Sequence, residues 1–325
     1  MNATPLATTD PQPPVPQRPA RSWVDRVGDR RDWVWRGWST RYSFLPGPAV
    51  NGGPPILLLH GFGASIGYWR SNMEALATHH PVYALDLVGF GASCKPSVDY
   101  DAYFWAEQVR EFWQTFIGVP AVVVGNSIGS AIALTVAECY PEMVCGAVAI
   151  SLPDPSMREE IIPRALRPLV LGLEALVASP WLLQAVFYGV RRPAVVRRWA
   201  GLAWGDPGAI DPELVEILTE PARDRGAART FAQIIRAMAS SRFSPPIRRV
   251  LNHIQIPVLL LWGTRDRLIP FALSQQFVGC SPRLEFVPIE GAGHCPHDEA
   301  PDRVNALLRQ WLDRLGRSAD TAGEN

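Results

Sequence analysis

Residues 121–140 read AVVVGNSIGSAIALTVAECY. Four apolar residues come first, then Gly125-Asn126-Ser127-Ile128-Gly129, then a stretch of helical length at 128–140. An apolar run without polar alternation suits a strand buried on both faces. A serine on the sharp turn from such a strand into a helix takes up a strained backbone. The residues two places to either side must be small, so that strand and helix can approach. Gly125 and Gly129 meet that need, and Ser130 keeps the next position small. The stretch therefore predicts a buried strand, a turn that presents Ser127 as a nucleophile, and a helix.

The same alternation extends in both directions. Apolar runs recur at 56–59, 82–85, 144–150, 256–262 and 284–289, with helix-length segments such as 103–117 between them. Alternating strands and helices mark an α/β architecture with a mostly parallel sheet and helices on both faces. Upstream, residues 33–45 read WVWRGWSTRYSFL, an aromatic and β-branched pattern that predicts a strand pair. That pair brings the expected sheet to eight strands. Trp33, Trp35 and Trp38 follow alternating spacing, suited to core filling or to a flat aromatic ligand. The alternation lapses once, where residues 155–254 show helical periodicity broken by Pro163, Pro168, Pro180, Pro193 and Pro212. A structureless loop of that length has no place in a compact domain, so the segment is expected to be a helical cap. The expected core is 23–154 with 255–315. Residues 1–22 form a Pro-rich tail unable to bury a core, and 316–325 a flexible C-terminal tail.

Composition narrows the function classes. The 325 residues are 47% hydrophobic and 19% charged, with 31 basic and 31 acidic side chains. Zero net charge argues against nucleic acid as the main partner. Five scattered cysteines without a C-x-x-C pair suggest a reducing compartment and no thiolate metal site. The N-terminus lacks the basic and apolar regions of a secretory signal. No run is long and apolar enough for a certain membrane span; the nearest, 168–190, contains Glu174 and Pro180. Only Lys95 among the basic residues is a lysine, read as a mark of genomic composition.

Serine is a poor nucleophile without a base. Of six histidines, His79, His80 and His253 sit at the entrances of strands, at the opposite edge from Ser127. His294, in Gly291-Ala292-Gly293-His294, follows the last expected strand at the same edge as Ser127, and His297 is its competitor. His294-x-x-His297 also fits two metal ligands, but no helix with a glutamate base accompanies it, and no metal or cofactor is expected. The imidazole needs an acid to fix its tautomer. Asp266, just past the run 256–262, is the candidate, and Asp154, ending the strand before the cap, is the alternative. His60-Gly61-Phe62-Gly63 follows a strand, and its glycines let a backbone N–H face a developing oxyanion. The expected donors are the N–H groups of Phe62 and Ile128.

The order Ser127, Asp266, His294 is that of the α/β-hydrolase triad, and the chain resembles that superfamily from the strand pair to about Leu315. HGFGASIGYWR (60–70), ALDLVGFGASCKP (84–96), VVGNSIGS (123–130) and GAGHCPHDEAPDRVN (291–305) resemble the pheophytinase and chlorophyll dephytylase group of cyanobacteria and plastids. Ser130 stands where that group often has glycine. The resemblance implies a serine esterase that removes phytol from chlorophyll-type pigments, with the family's triad falling on Ser127, Asp266 and His294. It also implies a protein on the cytoplasmic side, soluble or peripheral to a thylakoid membrane.

The cap sequence bears on the substrate independently. LVLGLEALV (169–177) and WLLQAVFYGV (181–190) are apolar for a segment over an active site. Residues 169–173 and 181–187, Leu183 and Phe187 among them, are expected to line a hydrocarbon channel, or else to pack on the sheet or a bilayer surface. Arg191, Arg192, Arg197 and Arg198 follow and suit either solvent or anionic headgroups. Two other functions fit the same motifs. One is a carbon–carbon bond hydrolase of the meta-cleavage product type; the other is a ligand receptor on a retained hydrolase fold.

Overall fold

The computed structural model describes residues 21–48, 52–157 and 179–323, with side chains to residue 316. Its centre is an eight-stranded sheet. The strands are β1 (Asp29–Trp35), β2 (Trp38–Leu45), β3 (Ile56–Leu59), β4 (Val82–Leu85), β5 (Ala121–Asn126), β6 (Val144–Ile150), β7 (Val258–Gly263) and β8 (Leu284–Ile289). Their spatial order is β1-β2-β4-β3-β5-β6-β7-β8. Only β2 runs antiparallel to its neighbours β1 and β4; from β4 to β8 every pair is parallel. The expected fold class is the observed one.

Both faces are covered, which is why the strand sequences do not alternate. Leu57, Leu59, Val123 and Leu260 point to the face packed by helices α3 (Ala102–Phe116) and α4 (Ile128–Cys139). Ile56, Leu58, Val122, Val124, Leu259 and Leu261 point to the other, with Leu308 and Trp311 of the C-terminal helix. On β1, Trp33 and Trp35 reach α3, where their rings lie 5.7 Å from Phe112 and 5.2 Å from Phe104. The tryptophan alternation thus serves the core.

Short helices α1 (Trp23–Arg26) and α2 (Met73–Ala77) precede α3, and the C-terminal part holds α10 (Pro296–Glu299) and α11 (Pro301–Gly323). Helix α11 continues past residue 315, where a flexible tail was expected. Its apolar spacing (Val304, Leu308, Leu312, Leu315) ends there, but the hydrogen-bonded backbone does not. Between β6 and β7 lie α5 (Pro180–Val190), α6 (Pro193–Ala203), α7 (Pro212–Thr219), α8 (Ala227–Met238) and α9 (Ile247–His253). The described residues from 179 to 254 contain no strand. Residues 169–173 lie outside the described residues.

The parallel register brings the carboxyl ends of β3, β5, β6 and β7 level, since Leu59 faces Gly125, Gly125 faces Ala149 and Ile150 faces Leu261. In an open α/β sheet that edge is where chemistry collects, because each strand there releases its chain into a loop. Phe62, Ser127, Asp154, Asp266 and His294 all follow strands at this edge.

Candidate active site

Ser127 joins β5 to α4 with φ 54° and ψ −121°, a conformation that costs about 1–3 kcal/mol for a residue with a side chain. The turn is held from both sides: the Ser127 N–H donates to the Ile150 carbonyl at 2.8 Å, and the Ser130 hydroxyl donates to the Ser127 carbonyl at 2.5 Å. The flanking glycines are steric requirements. A Cβ at Gly125 would lie 2.1 Å from the Gly129 carbonyl oxygen, and one at Gly129 would lie 2.3 Å from that of Leu59. Among buried neighbours Ser127 alone is half-buried, so its side chain stays reachable.

His294 and Asp266 come together from different loops. His294 Nδ1 lies 2.8 Å from Asp266 Oδ2. The other carboxylate oxygen accepts the N–H groups of Leu268 and Ile269, each at 2.9 Å. Both residues are 6% exposed, so the pair is shielded from water while its partners fix its geometry. Asp154 does not share in this. It accepts the Ser156 N–H at 3.0 Å and the Ser156 hydroxyl at 2.6 Å, tying down the turn that follows β6. His297 is also set apart. It is fully buried, its ring lies 4.4 Å from Trp69, and neither ring nitrogen has a hydrogen-bond partner among the described residues. Burial lowers its pKa to about 3 and holds it neutral. No group of three or more His, Cys, Asp or Glu among the described residues is arranged to hold a metal.

The loop after β3 is built around a neutral histidine. His60 Nε2 accepts the Leu87 N–H at 3.1 Å, which leaves Nδ1 to donate to the Gly61 carbonyl at 2.8 Å. Burial pushes its pKa down to about 4. Close by, Asp86 accepts the N–H groups of Ile66 and Ala92, both at 2.7 Å. Neither the Phe62 nor the Ile128 N–H has an acceptor among the described residues. The Phe62 ring lies 5.8 Å from that of Phe231 on α8, and Phe231 lies 5.1 Å from Phe187 on α5. A line of aromatic contacts therefore runs from this loop into the cap. Phe187 is buried on that line and Leu183 is half-buried one turn earlier, whereas Trp181 faces outward.

Sequence reasoning missed the residues that position the His294 loop. Glu299 Oε2 accepts the N–H groups of Gly205 (2.7 Å) and Gly293 (2.8 Å), and its Oε1 accepts that of Cys295 (3.1 Å). Asn126 Nδ2 donates to the His294 carbonyl at 3.1 Å, and the His294 N–H donates to the Ala203 carbonyl at 2.7 Å. The serine turn, the histidine loop and the cap are thus bonded to one another. Phe231 and Glu299 carry no local signal, because their partners are remote in sequence.

This fold and this edge define a hydrolase-type scaffold, and the comparisons agree. Residues 56–307 match the model of the alpha/beta hydrolase family, and the chain belongs to that family. More particularly, it is 28% identical over 265 residues to an uncharacterized protein of Mycobacterium tuberculosis, covering 80% of this chain and 76% of that one. It is 24% identical to the chloroplastic pheophytinase of Arabidopsis thaliana, covering 81% of this chain and 62% of the relative. Among solved structures, a bacterial membrane phospholipase A superposes with a TM-score of 0.71 at 27% identity, covering 90% of this chain and 89% of that one.

Proposed function

We propose that this protein is a serine carboxylester hydrolase of a lipophilic ester, with Ser127, His294 and Asp266 as its triad. The observation that carries the reading is the buried 2.8 Å contact between His294 Nδ1 and Asp266, at the sheet edge where Ser127 occupies its strained turn. Ser127 Oγ attacks the ester carbonyl and gives its proton to His294 Nε2. Asp266 keeps the Nδ1–H tautomer and stabilises the imidazolium. The Phe62 and Ile128 N–H groups receive the negative oxygen. Collapse of the intermediate expels the alkoxide, which takes the proton from Nε2. Water then attacks the acyl-enzyme, with Nε2 as base, and restores Ser127. Each proton has a donor and an acceptor, so the cycle balances.

For the alcohol or acyl part, the motif resemblance and the pheophytinase relative support the phytyl ester of a chlorophyll-type pigment. The likeness to a membrane phospholipase A supports a second reading, a long-chain phospholipid ester. For either ester the packing of Phe187 and Phe231 toward Phe62 supports a hydrocarbon chain lying along the cap. Turnover of pheophytin a, chlorophyll a, a diacyl phospholipid and a short nitrophenyl ester separates the readings by product: phytol, fatty acid, or neither. Ser127→Ala is expected to abolish whichever hydrolysis is found, by roughly 10⁴–10⁶-fold. Retention of a tenth of the activity in folded Ser127→Ala protein overturns the proposal.

A further inference from the structure

Helices α5 and α6 have an unusual surface for a cap. Residues 179–205 contain Arg191, Arg192, Arg197 and Arg198 and no acidic residue, in a chain whose total charge is zero. Five of the ten exposed large apolar side chains of the described residues lie here: Trp181 (72% exposed), Val186 (44%), Tyr188 (55%), Trp199 (57%) and Leu202 (44%). Each helix already uses its other side for packing. Phe187 of α5 meets Phe231 of α8, and Ala200 and Ala203 of α6 join Ile210 and Leu214. A helix that is apolar on its inner side and again on its outer side leaves the outer side to be covered by something other than water.

The chemistry of that outer side fits one kind of cover. Trp181, Ala185 and Tyr188 follow the four-then-three spacing of one helix face on α5, and Trp199 and Leu202 are a three-residue pair on α6. Tryptophan and tyrosine suit the boundary between hydrocarbon and water, where an apolar ring and a polar tip are both accommodated. None of the four arginines pairs with a described carboxylate. The Arg191 guanidinium lies over the Tyr188 ring at 4.7 Å, holding its charge beside the aromatic face. Arginines without acidic partners among the described residues, one of them over the exposed Tyr188 ring, complement a surface that is apolar within and anionic at its rim.

We propose that α5 and α6 form a docking surface for an anionic phospholipid bilayer. Trp181, Tyr188, Trp199 and Leu202 enter the headgroup boundary, and the four arginines meet lipid phosphates. Docking sets the cap, and the aromatic line from Phe187 to Phe62, against the layer that holds lipophilic esters. That purpose rests on the ester-hydrolase reading; the docking itself does not.

Sedimentation of the full chain with extruded vesicles tests the docking. The Ser127→Ala form is used, so that no lipid is hydrolysed and the outcome is independent of activity. Vesicles of phosphatidylcholine alone are compared with vesicles containing about one-third phosphatidylglycerol. The protein is expected to partition at least tenfold more strongly into the anionic vesicles and to be released by high salt, since surface attraction is screened. An arginine near such a surface contributes roughly fivefold, so Arg197→Gln with Arg198→Gln should weaken binding by about 25-fold. Trp181→Ala with Trp199→Ala should weaken it at least tenfold. Thermal melts like that of the parent establish that the variants are folded. Absence of binding, equal binding to both vesicle types, or folded variants that bind like the parent overturn the proposal. So does self-association in solution that Trp181→Ala abolishes, because a second copy would then be the cover.

Discussion

Asp266 spends one carboxylate oxygen on two backbone N–H groups and the other on His294, so it cannot rotate without losing a partner. Asparagine there would either present an amide N–H to Nδ1 or lose the loop contacts. Asp266→Asn should therefore lower turnover by on the order of 10⁴, through the wrong histidine tautomer. Asp154→Asn should leave kcat within about tenfold, because among the described residues Asp154 bonds only the Ser156 turn. Steady-state kinetics on a short ester decide this, and a larger loss at Asp154 would move the acid to the other strand. At this scale the sequence was informative where backbone geometry restricts residue type. Gly125 and Gly129 are legible because nothing larger fits between β5, α4 and β3, and Ser127 is legible from the turn that they frame. The choice of Asp266 over Asp154 rested on position and on the family resemblance, since both residues follow strands at one edge. Only the buried contact with His294 separates them.

Among the elements, strands β3 to β7 were legible because burial on both faces leaves almost only apolar residues, whereas β8, at the sheet edge, carries an exposed Glu285. Their ends were less so. β5 continues to Asn126 because Gly125 and Asn126 still pair with Ala149 and Ile150, although neither residue is apolar. β7 begins at Val258, since Pro257 before it cannot donate to a ladder. The loop after β8 takes its shape from Glu299, whose carboxylate gathers three N–H groups from the histidine loop and the cap. Glutamine at 299 would set an NH₂ group against an N–H, leaving a buried donor unsatisfied at a cost of about 1–3 kcal/mol. Glu299→Gln is expected to lower kcat by about ten- to a hundredfold on a short ester, with KM changed less. Its thermal transition should fall as well. Unchanged kcat would show that the loop holds its histidine without this carboxylate.

Across the whole molecule, ion pairs tie cap to core. Lys95, whose rarity read as composition, is buried and reaches Asp224 of the cap at 2.6 Å. Arg70 lies 2.8 Å from Asp298 beside the histidine loop and 3.3 Å from Glu213 on α7, while Trp23 and Arg26 of α1 also bond Glu213. Such contacts join residues far apart in the chain and leave no periodic trace. Among the described residues no helix is long and apolar enough to cross a membrane.

Buried histidines give the whole molecule a pH response. His60 and His297 titrate near 4 and 3 when folded against 6.5 for the free side chain, so the unfolded chain takes up their protons first. The stability they confer is complete above about 6.5 and is lost as pH falls toward 4 and then 3. Asp86 and Asp298, raised by burial to about 6, oppose this: their contribution is present below about 4 and lost as pH rises through 6. His297→Phe keeps the ring against Trp69 and removes one proton site. Denaturant unfolding from pH 7 to 4 should show a shallower decline for this variant than for the parent. A parallel decline would mean that His297 does not drive the acid sensitivity.

Covalent trapping of the nucleophile tests the central claim most directly. A long-chain fluorophosphonate is incubated with the full chain, and the modified peptide is located by mass spectrometry. A single adduct is expected on Ser127, absent in Ser127→Ala and formed at least a hundredfold more slowly in His294→Ala. A folded protein that takes up no label, or carries it on another residue, would contradict the account.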